Sequence, residues 1–428
     1  MKRIILILIC CITALFACNR KGNDLVLSYF KETSKATNKY SYLWNKDLYA
    51  PILFVDTENV LLYANEPDDF GALKKEGEIY VGKLPDDLMV SNTSIEWNGK
   101  MWAMMYLPLP QDYYGRINLI THELFHVAQP ALGFRGYNSD NIHLDEKDGR
   151  IYLRLELEAL KKAIWESSES AIKEHLTNAI IFRKYRNTLY EGSKESENQL
   201  ELSEGLAEYT GMMHAGRNEK EAKKHFEGRI DAFYHYPTFT RSFAYETIPV
   251  YGYLLQKKQK EWNKNINNTI NLVDFFITAF NIQVPDDLEK AVEKITSMYD
   301  GKNIIDEETI REDNIEKIKA AYRDKFVKSP HLDFYFEQMS IGFDPTNIFS
   351  LETEGTVYPI IKVIDNWGVL EVEKGALMAP GWNKITVSLP FEIISDSVVG
   401  DGWTLKLNDG YKILKDELTG NYSVVKNN

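Results

Sequence analysis

The stretch Thr121-His122-Glu123-Leu124-Phe125-His126 carries two histidines four residues apart, with a glutamate directly after the first. On a helix this spacing brings both imidazoles to one face, one turn from each other. Two imidazole nitrogens so placed can share one tetrahedral zinc ion. Glu123 points away from that shared direction and is left free to act as a base on a water at the metal. The flanking pattern is helical. Ile117, Ile120, Leu124, Val127 and Ala131 form one apolar stripe, while His122, His126 and Gln129 lie opposite it. One face therefore packs on a core and the other is available to line a cleft.

A second stretch repeats that layout. In Leu202-Ser203-Glu204-Gly205-Leu206-Ala207-Glu208-Tyr209, the residues Leu202, Leu206, Tyr209 and Met213 make the apolar stripe, and Glu204 and Glu208 lie opposite it. Gly205 and Ala207 are small enough to let another backbone come close. Other residues of ligand type compete with Glu204. His143 and Asp145 sit in a polar, loop-like stretch, 136–149. Glu156 interrupts the apolar stripe Tyr152, Leu155, Ala159, Leu160, Ala163, Ile164, where a carboxylate is costly unless paired or bound. Arg183 falls on the apolar face of the next helix, with Ile172, Leu176, Ala179 and Ile180. Glu156 is thus either the partner of Arg183 or a metal ligand.

The pair of motifs, His122-Glu123-x-x-His126 followed by Glu204-Gly205-Leu206-Ala207, resembles the gluzincin metallopeptidases. The resemblance implies zinc held by His122, His126 and Glu204, with Glu123 as general base. It also implies a Tyr or His beyond the glutamate helix that donates to the developing oxyanion. Tyr245, in the tyrosine-rich helical stretch Phe243–Gln256 with Tyr251 and Tyr253, is the candidate by position; aromatic packing is the other reading of each tyrosine. Glu204 follows His126 by 78 positions, a longer gap than in thermolysin-like or aminopeptidase-like members, and two inserted helices account for it. The metzincin pattern is excluded, because Gln129 and Leu132 stand where it needs Gly and His. Each histidine's remaining nitrogen needs a carboxylate or carbonyl partner, for which Glu208 and Glu156 are candidates.

Several elements must position these groups. A helix is expected over Leu25–Trp44, then short strands at Pro51–Asp56, Asn59–Ala64, Glu78–Leu84 and Met101–Leu107. The last of these is either an edge that pairs with an extended peptide or an interior strand. Pro130 and Gly133 end the histidine helix, and Glu191–Asn198 reads as a charged loop. Helices at Leu272–Ile282, Asp286–Met298 and Glu307–Val327 follow. From Gly355 the pattern turns to short alternating segments with Asp409-Gly410 and Thr419-Gly420 turns, a small β domain without a catalytic constellation of its own.

The 428 residues suggest two or three domains, and the net charge of −13 with no basic patch argues against a nucleic-acid partner. Lys2 and Arg3 precede an apolar run, Ile4–Phe16, too short to span a bilayer comfortably. It ends in Leu15-Phe16-Ala17-Cys18, which resembles a bacterial lipobox with Cys18 as the lipidated residue; an ordinary signal peptide cut near Ala17 is the other reading. The only cysteines are Cys10, Cys11 and Cys18, so the processed chain has no disulfide.

The expectation is an α+β protein in three parts: a lipoprotein signal peptide, 1–18; a mainly helical zincin-like catalytic domain with a small N-terminal sheet, 19–345; and a small antiparallel β domain, 346–428. The expected activity is zinc-dependent hydrolysis, with a peptide or protein as substrate. The expected place is the bacterial cell envelope, at the outer membrane or cell surface, through a lipid anchor on Cys18. A non-catalytic envelope lipoprotein that binds protein or glycan, and a zinc hydrolase of a non-peptide amide, are the alternatives.

Overall fold

The structure, a computed structural model, describes residues 22–427 apart from 86, 87, 89, 137–140, 344–347 and 395–396. The signal stretch 1–18, with Cys18, lies outside the described residues. No described helix is long and apolar enough to cross a membrane. The fold is α+β, as expected, and the chain divides into two compact units, Met1–Ile304 and Ile305–Asn428.

The first unit opens with a helix over 22–39 (α1) and a sheet. Its strands are Ile52–Asp56 (β1), Leu61–Ala64 (β2), Lys74–Glu76 (β3), Ile79–Lys83 (β4), Thr93–Trp97 (β5) and Lys100–Tyr106 (β6). They lie in the order β3-β4-β2-β1-β6-β5, and every neighbouring pair is antiparallel except β1 with β6. The apolar run in β1 reflects burial on both faces. Ile52 and Phe54 pack with Val26 and Phe30 of α1, while Leu53 and Val55 pack with Leu62, Trp102 and Met104 on the other side. β6 lies between β1 and β5, so the Met101–Leu107 stretch is an interior strand; the outer strand on that side is β5.

Pro108 and Pro110 separate β6 from the histidine helix, Tyr113–Ala128 (α2). Asp112 caps α2 by accepting from Gly115 N at 2.7 Å. Gly133, in the left-handed conformation at φ 86°, ends the turn that follows. Ile120 and Leu124 of α2 join the core on the α1 side of the sheet, which leaves the opposite helix face for the histidines.

Lys147–Trp165 (α3) and Glu169–Leu189 (α4) are the two helices that lie between the histidine and glutamate stretches in sequence. The stretch expected as a loop is instead helical: Ser193–Leu200 (α5) runs through a π-helical turn, Glu201–Gly205, into Leu206–Ala215 (α6). Its Glu197 is almost fully buried and bonded to Arg186 at 2.7 Å, a pairing between distant positions that no local apolar period announces. Glu219–Phe233 (α7) and Ala244–Lys258 (α8) close the unit's central core, in which Leu155, Leu160, Phe182, Leu206, Tyr209 and Ile248 are all fully buried.

The second unit holds two sheets that share one core. Leu332, Phe334, Ile385 and Val387 of a seven-stranded sheet pack with Val363, Leu370, Val398 and Leu405 of a six-stranded one. Pairing is antiparallel except between Tyr422–Lys426 and His331–Tyr335. The first of the alternating segments after Gly355 forms two strands, Thr356–Tyr358 and Ile361–Asp365, one in each sheet. The boundary expected at 345 cuts inside this unit, because His331–Tyr335 pairs with Lys384–Ser388 and Ser340–Phe343 pairs with Ile361–Asp365.

Candidate metal centre

α2 and α6 pack against each other at a contact that only glycine allows. A Cβ on Gly211 would sit 2.5 Å from the Asn118 carbonyl oxygen. At that separation Glu204 and Glu208 reach the histidine face of α2. His122 Nε2 lies 3.0 Å from His126 Nε2, and Glu204 Oε2 lies 3.4 and 3.3 Å from these two nitrogens. These are the one group of three His, Cys, Asp or Glu residues among the described residues whose ligand atoms converge in this way.

The donor set fits zinc. Tetrahedral zinc with bonds of about 2.0–2.2 Å separates its ligand atoms by about 3.3–3.6 Å. The three observed edges fall within about 0.3 Å of that range. Two neutral imidazoles and one carboxylate are also the ligand types that zinc takes with a fourth position left open.

The remaining ring nitrogens are held. Glu208 Oε2 lies 3.0 Å from His122 Nδ1. A carboxylate only accepts, so Nδ1 carries a hydrogen, and Nε2 is the nitrogen that a metal would take once its proton is lost. Gln129 does the same for His126. Its Nε2 donates to the Ser203 carbonyl at 2.8 Å, which turns its Oε1 to His126 Nδ1, also at 2.8 Å. Both rings thus turn Nε2 towards the shared point. Sequence reasoning named Glu208 for this duty but not Gln129. The available signal was Gln129's place on the histidine face, three residues after His126.

Charge follows the same geometry. Burial would lower the His122 pKa, but the Glu204 and Glu208 carboxylates outweigh it and carry the metal-free ring to about 10. Burial pushes Glu204 up, and the two histidines more than reverse this, holding it well below the usual carboxylate range. Glu208 is likewise pushed up by burial but brought down to about 2, chiefly by His122 and Arg229. Arg229 Nη1 lies 3.4 Å from Glu208 Oε1, and Asn118 Nδ2 donates to that same oxygen at 3.1 Å.

Glu123 differs from these carboxylates. It is buried, and among the described residues its Oε2 takes no hydrogen bond. Burial raises its pKa against the pull of His122 and His126. Tyr245 stacks on the His122 ring, with centroids 5.4 Å apart and planes 11° apart, and its hydroxyl donates to Glu204 Oε2. Burial and that carboxylate hold its phenol far above the usual range, so it remains a donor.

The competing ligand candidates have other partners. His143 Nε2 pairs with Glu197 at 2.8 Å, and Asp145 accepts from Phe239 N at 2.7 Å and from Thr238. Glu156 is fully buried and bonds Arg183 Nε at 2.7 Å, Arg186 Nη1 at 3.0 Å and Tyr251 Oη at 2.9 Å. The Glu156–Arg183 pairing is therefore present, and these bonds take Glu156 away from the histidine nitrogens it was a candidate to fix. No protein-family model, curated protein or solved structure matches the chain.

Proposed function

We propose that the protein is a zinc-dependent hydrolase of peptide bonds, of gluzincin type, working at a bacterial cell envelope. The single observation that carries this is the triangle of His122 Nε2, His126 Nε2 and Glu204 Oε2, with the buried Glu123 next to His122 in sequence and its Oε2 without a hydrogen bond among the described residues. Zinc, when bound, polarises both a water molecule and the scissile carbonyl. Glu123 Oε2 is free to accept the proton as that water attacks, and its raised pKa suits it to hold the proton and pass it to the leaving amine. Glu208 and Gln129 keep the two imidazoles in the tautomer that ligates. Tyr245, which spends its hydroxyl proton on Glu204 here, is placed to turn that donor to the oxyanion of the tetrahedral intermediate. The products are a carboxylic acid and an amine, with water fully accounted for.

The peptide substrate comes from the motif resemblance, and the envelope placement from residues 1–18, where Cys18 would carry the lipid. The test is a diverse peptide library offered to zinc-loaded wild-type protein and to Glu123→Gln. Cleavage by the first and none by the second, at equal zinc content, supports the reading. Zinc-loaded wild type that cleaves no peptide contradicts it.

A further inference from the structure

An α-helix turns about 100° per residue, so positions seven apart lie within about 20° of each other. Glu201 and Glu208 are seven apart on one continuous helical run, yet they serve different neighbours. Glu201 goes to Arg183 on α4 and Thr247 on α8, whereas Glu208 goes to His122 and Asn118 on α2. Both are buried carboxylates, and on an uninterrupted α-helix they would point to nearly the same side.

One extra residue separates them. Leu206 N–H donates to the Glu201 carbonyl, five residues back, and this π turn rotates everything after it by about 100° relative to an α-helix. The rotation is what points Glu204 and Glu208 at α2 while Glu201 points elsewhere. The same turn uses the Ser203 carbonyl to accept from Gln129, the residue that holds His126. One local irregularity therefore touches two of the three candidate ligands.

A π turn is rarer than α geometry and persists where its surroundings hold it. Here it is held at both ends. Arg183 Nη1 donates to Glu201 Oε2 at 2.7 Å, Arg183 Nη2 lies 2.7 Å from Oε1, and Thr247 Oγ1 donates to Oε1 at 2.7 Å. Arg183 is itself fixed by Glu156. At the other end a Cβ on Gly205 would sit 2.6 Å from Ile248 Cγ1, so the backbone lies flush against α8.

We propose that Glu201 is a positioning residue: clamped by Arg183 and Thr247, it holds the π turn that aims Glu204 at the histidine pair and, through Ser203 and Gln129, sets His126. This rests on the zinc reading above. Glu197 supplies the control, because it is equally buried and bonds Arg186 and His143 in the same region, reaching Arg183 Nη1 only at 4.0 Å, and stands on α5 before the turn. The experiment titrates zinc alone, against a competing chelator, into full-length wild type, Glu201→Gln, Thr247→Val and Glu197→Gln, with thermal midpoints measured in parallel. Glu201→Gln should bind zinc about 10–100-fold more weakly. Thr247→Val, which removes one bond to Glu201 with little change of shape, should weaken zinc about fivefold, and it decides the matter if Glu201→Gln does not fold. Glu197→Gln should lose thermal stability and keep its zinc affinity within about twofold, below the effect of one lost bond. Wild-type zinc affinity in the folded variants at 201 and 247 overturns the proposal, as does a zinc loss in Glu197→Gln matching its loss of stability. Wild-type protein that takes up no zinc overturns the zinc reading and this proposal with it.

Discussion

Replacing Glu208 separates a ligand from a residue that holds one. Glu208→Ala removes the acceptor of His122 Nδ1–H and of Asn118 Nδ2, but leaves His122 Nε2, His126 Nε2 and Glu204 Oε2 in place. Loss of such an outer partner weakens metal binding about 10–100-fold, or about 1.4–2.7 kcal/mol. Glu204→Ala removes a ligand. Spreading the about 10–16 kcal/mol of a zinc site over four ligands gives about 3–4 kcal/mol, so this variant should lose about 10²–10³. A pH dependence comes with it. Glu204 and Glu208 push the metal-free His122 ring up to about 10, and zinc takes only the neutral ring, so the ion must displace a proton. Lowering the pH favours the protonated, metal-free form, and wild-type affinity should fall about tenfold per pH unit between pH 9 and pH 6. Glu208→Ala removes one of the two carboxylates that hold that proton, so its affinity should level off at a lower pH. The gap to wild type should then be narrower at pH 6 than at pH 9. Zinc titrations with a competing chelator across that range measure both effects. A wild-type affinity that does not change with pH, or a Glu208→Ala loss as large as that of Glu204→Ala, would rule out these roles for Glu204 and Glu208.

Three further outcomes can be checked independently. Glu156→Gln replaces the acceptor of Arg186 Nη1 by a donor inside a fully buried network, so it should cost about 3 kcal/mol in denaturant unfolding and leave zinc affinity alone; a loss below about 1 kcal/mol, or loss of metal, counts against it. Tyr245→Phe should lower kcat about 10²–10³-fold on a cleaved peptide with KM near the wild-type value, and an unchanged kcat would confine Tyr245 to packing on His122. Cys18→Ser should move the protein from the membrane fraction to the soluble one; continued membrane association through high salt and mild alkali would point to an uncleaved signal anchor.

The histidine pair was legible because its information is local: a fixed spacing on one helix face, with Ile120 and Leu124 facing the core. Glu204 was legible as the acid opposite an apolar stripe, since Leu202, Leu206 and Tyr209 are indeed buried. Glu156 and Arg183 betrayed each other because each interrupts such a stripe. What stayed hidden depends on partners distant in sequence. Glu191–Asn198 looked like a loop because it is charged and holds Gly192, yet Glu197 and Asn198 are buried by partners at Arg186 and Leu272. The π turn was invisible for the same reason. The apolar spacing fits an unbroken helix, and the extra residue is called for by Arg183, 18 positions earlier. The interior place of β6 was undecidable locally, because it depends on a parallel pairing with β1, about fifty residues back. The domain boundary slipped because Pro330–Pro345 carries Pro and Gly, but the strands within it find their partners downstream.

The proposed chemistry requires that His122, His126 and Glu204 together hold zinc. Zinc X-ray absorption on the purified full-length protein reads those ligands, with metal content measured on the same sample and on His126→Ala. The expected result is one zinc per chain, two imidazole nitrogens at about 2.0–2.1 Å and a carboxylate oxygen at about 2.0–2.2 Å, with the ion lost from the variant. Wild-type protein without stoichiometric zinc, or an imidazole pair that persists in His126→Ala, would contradict it.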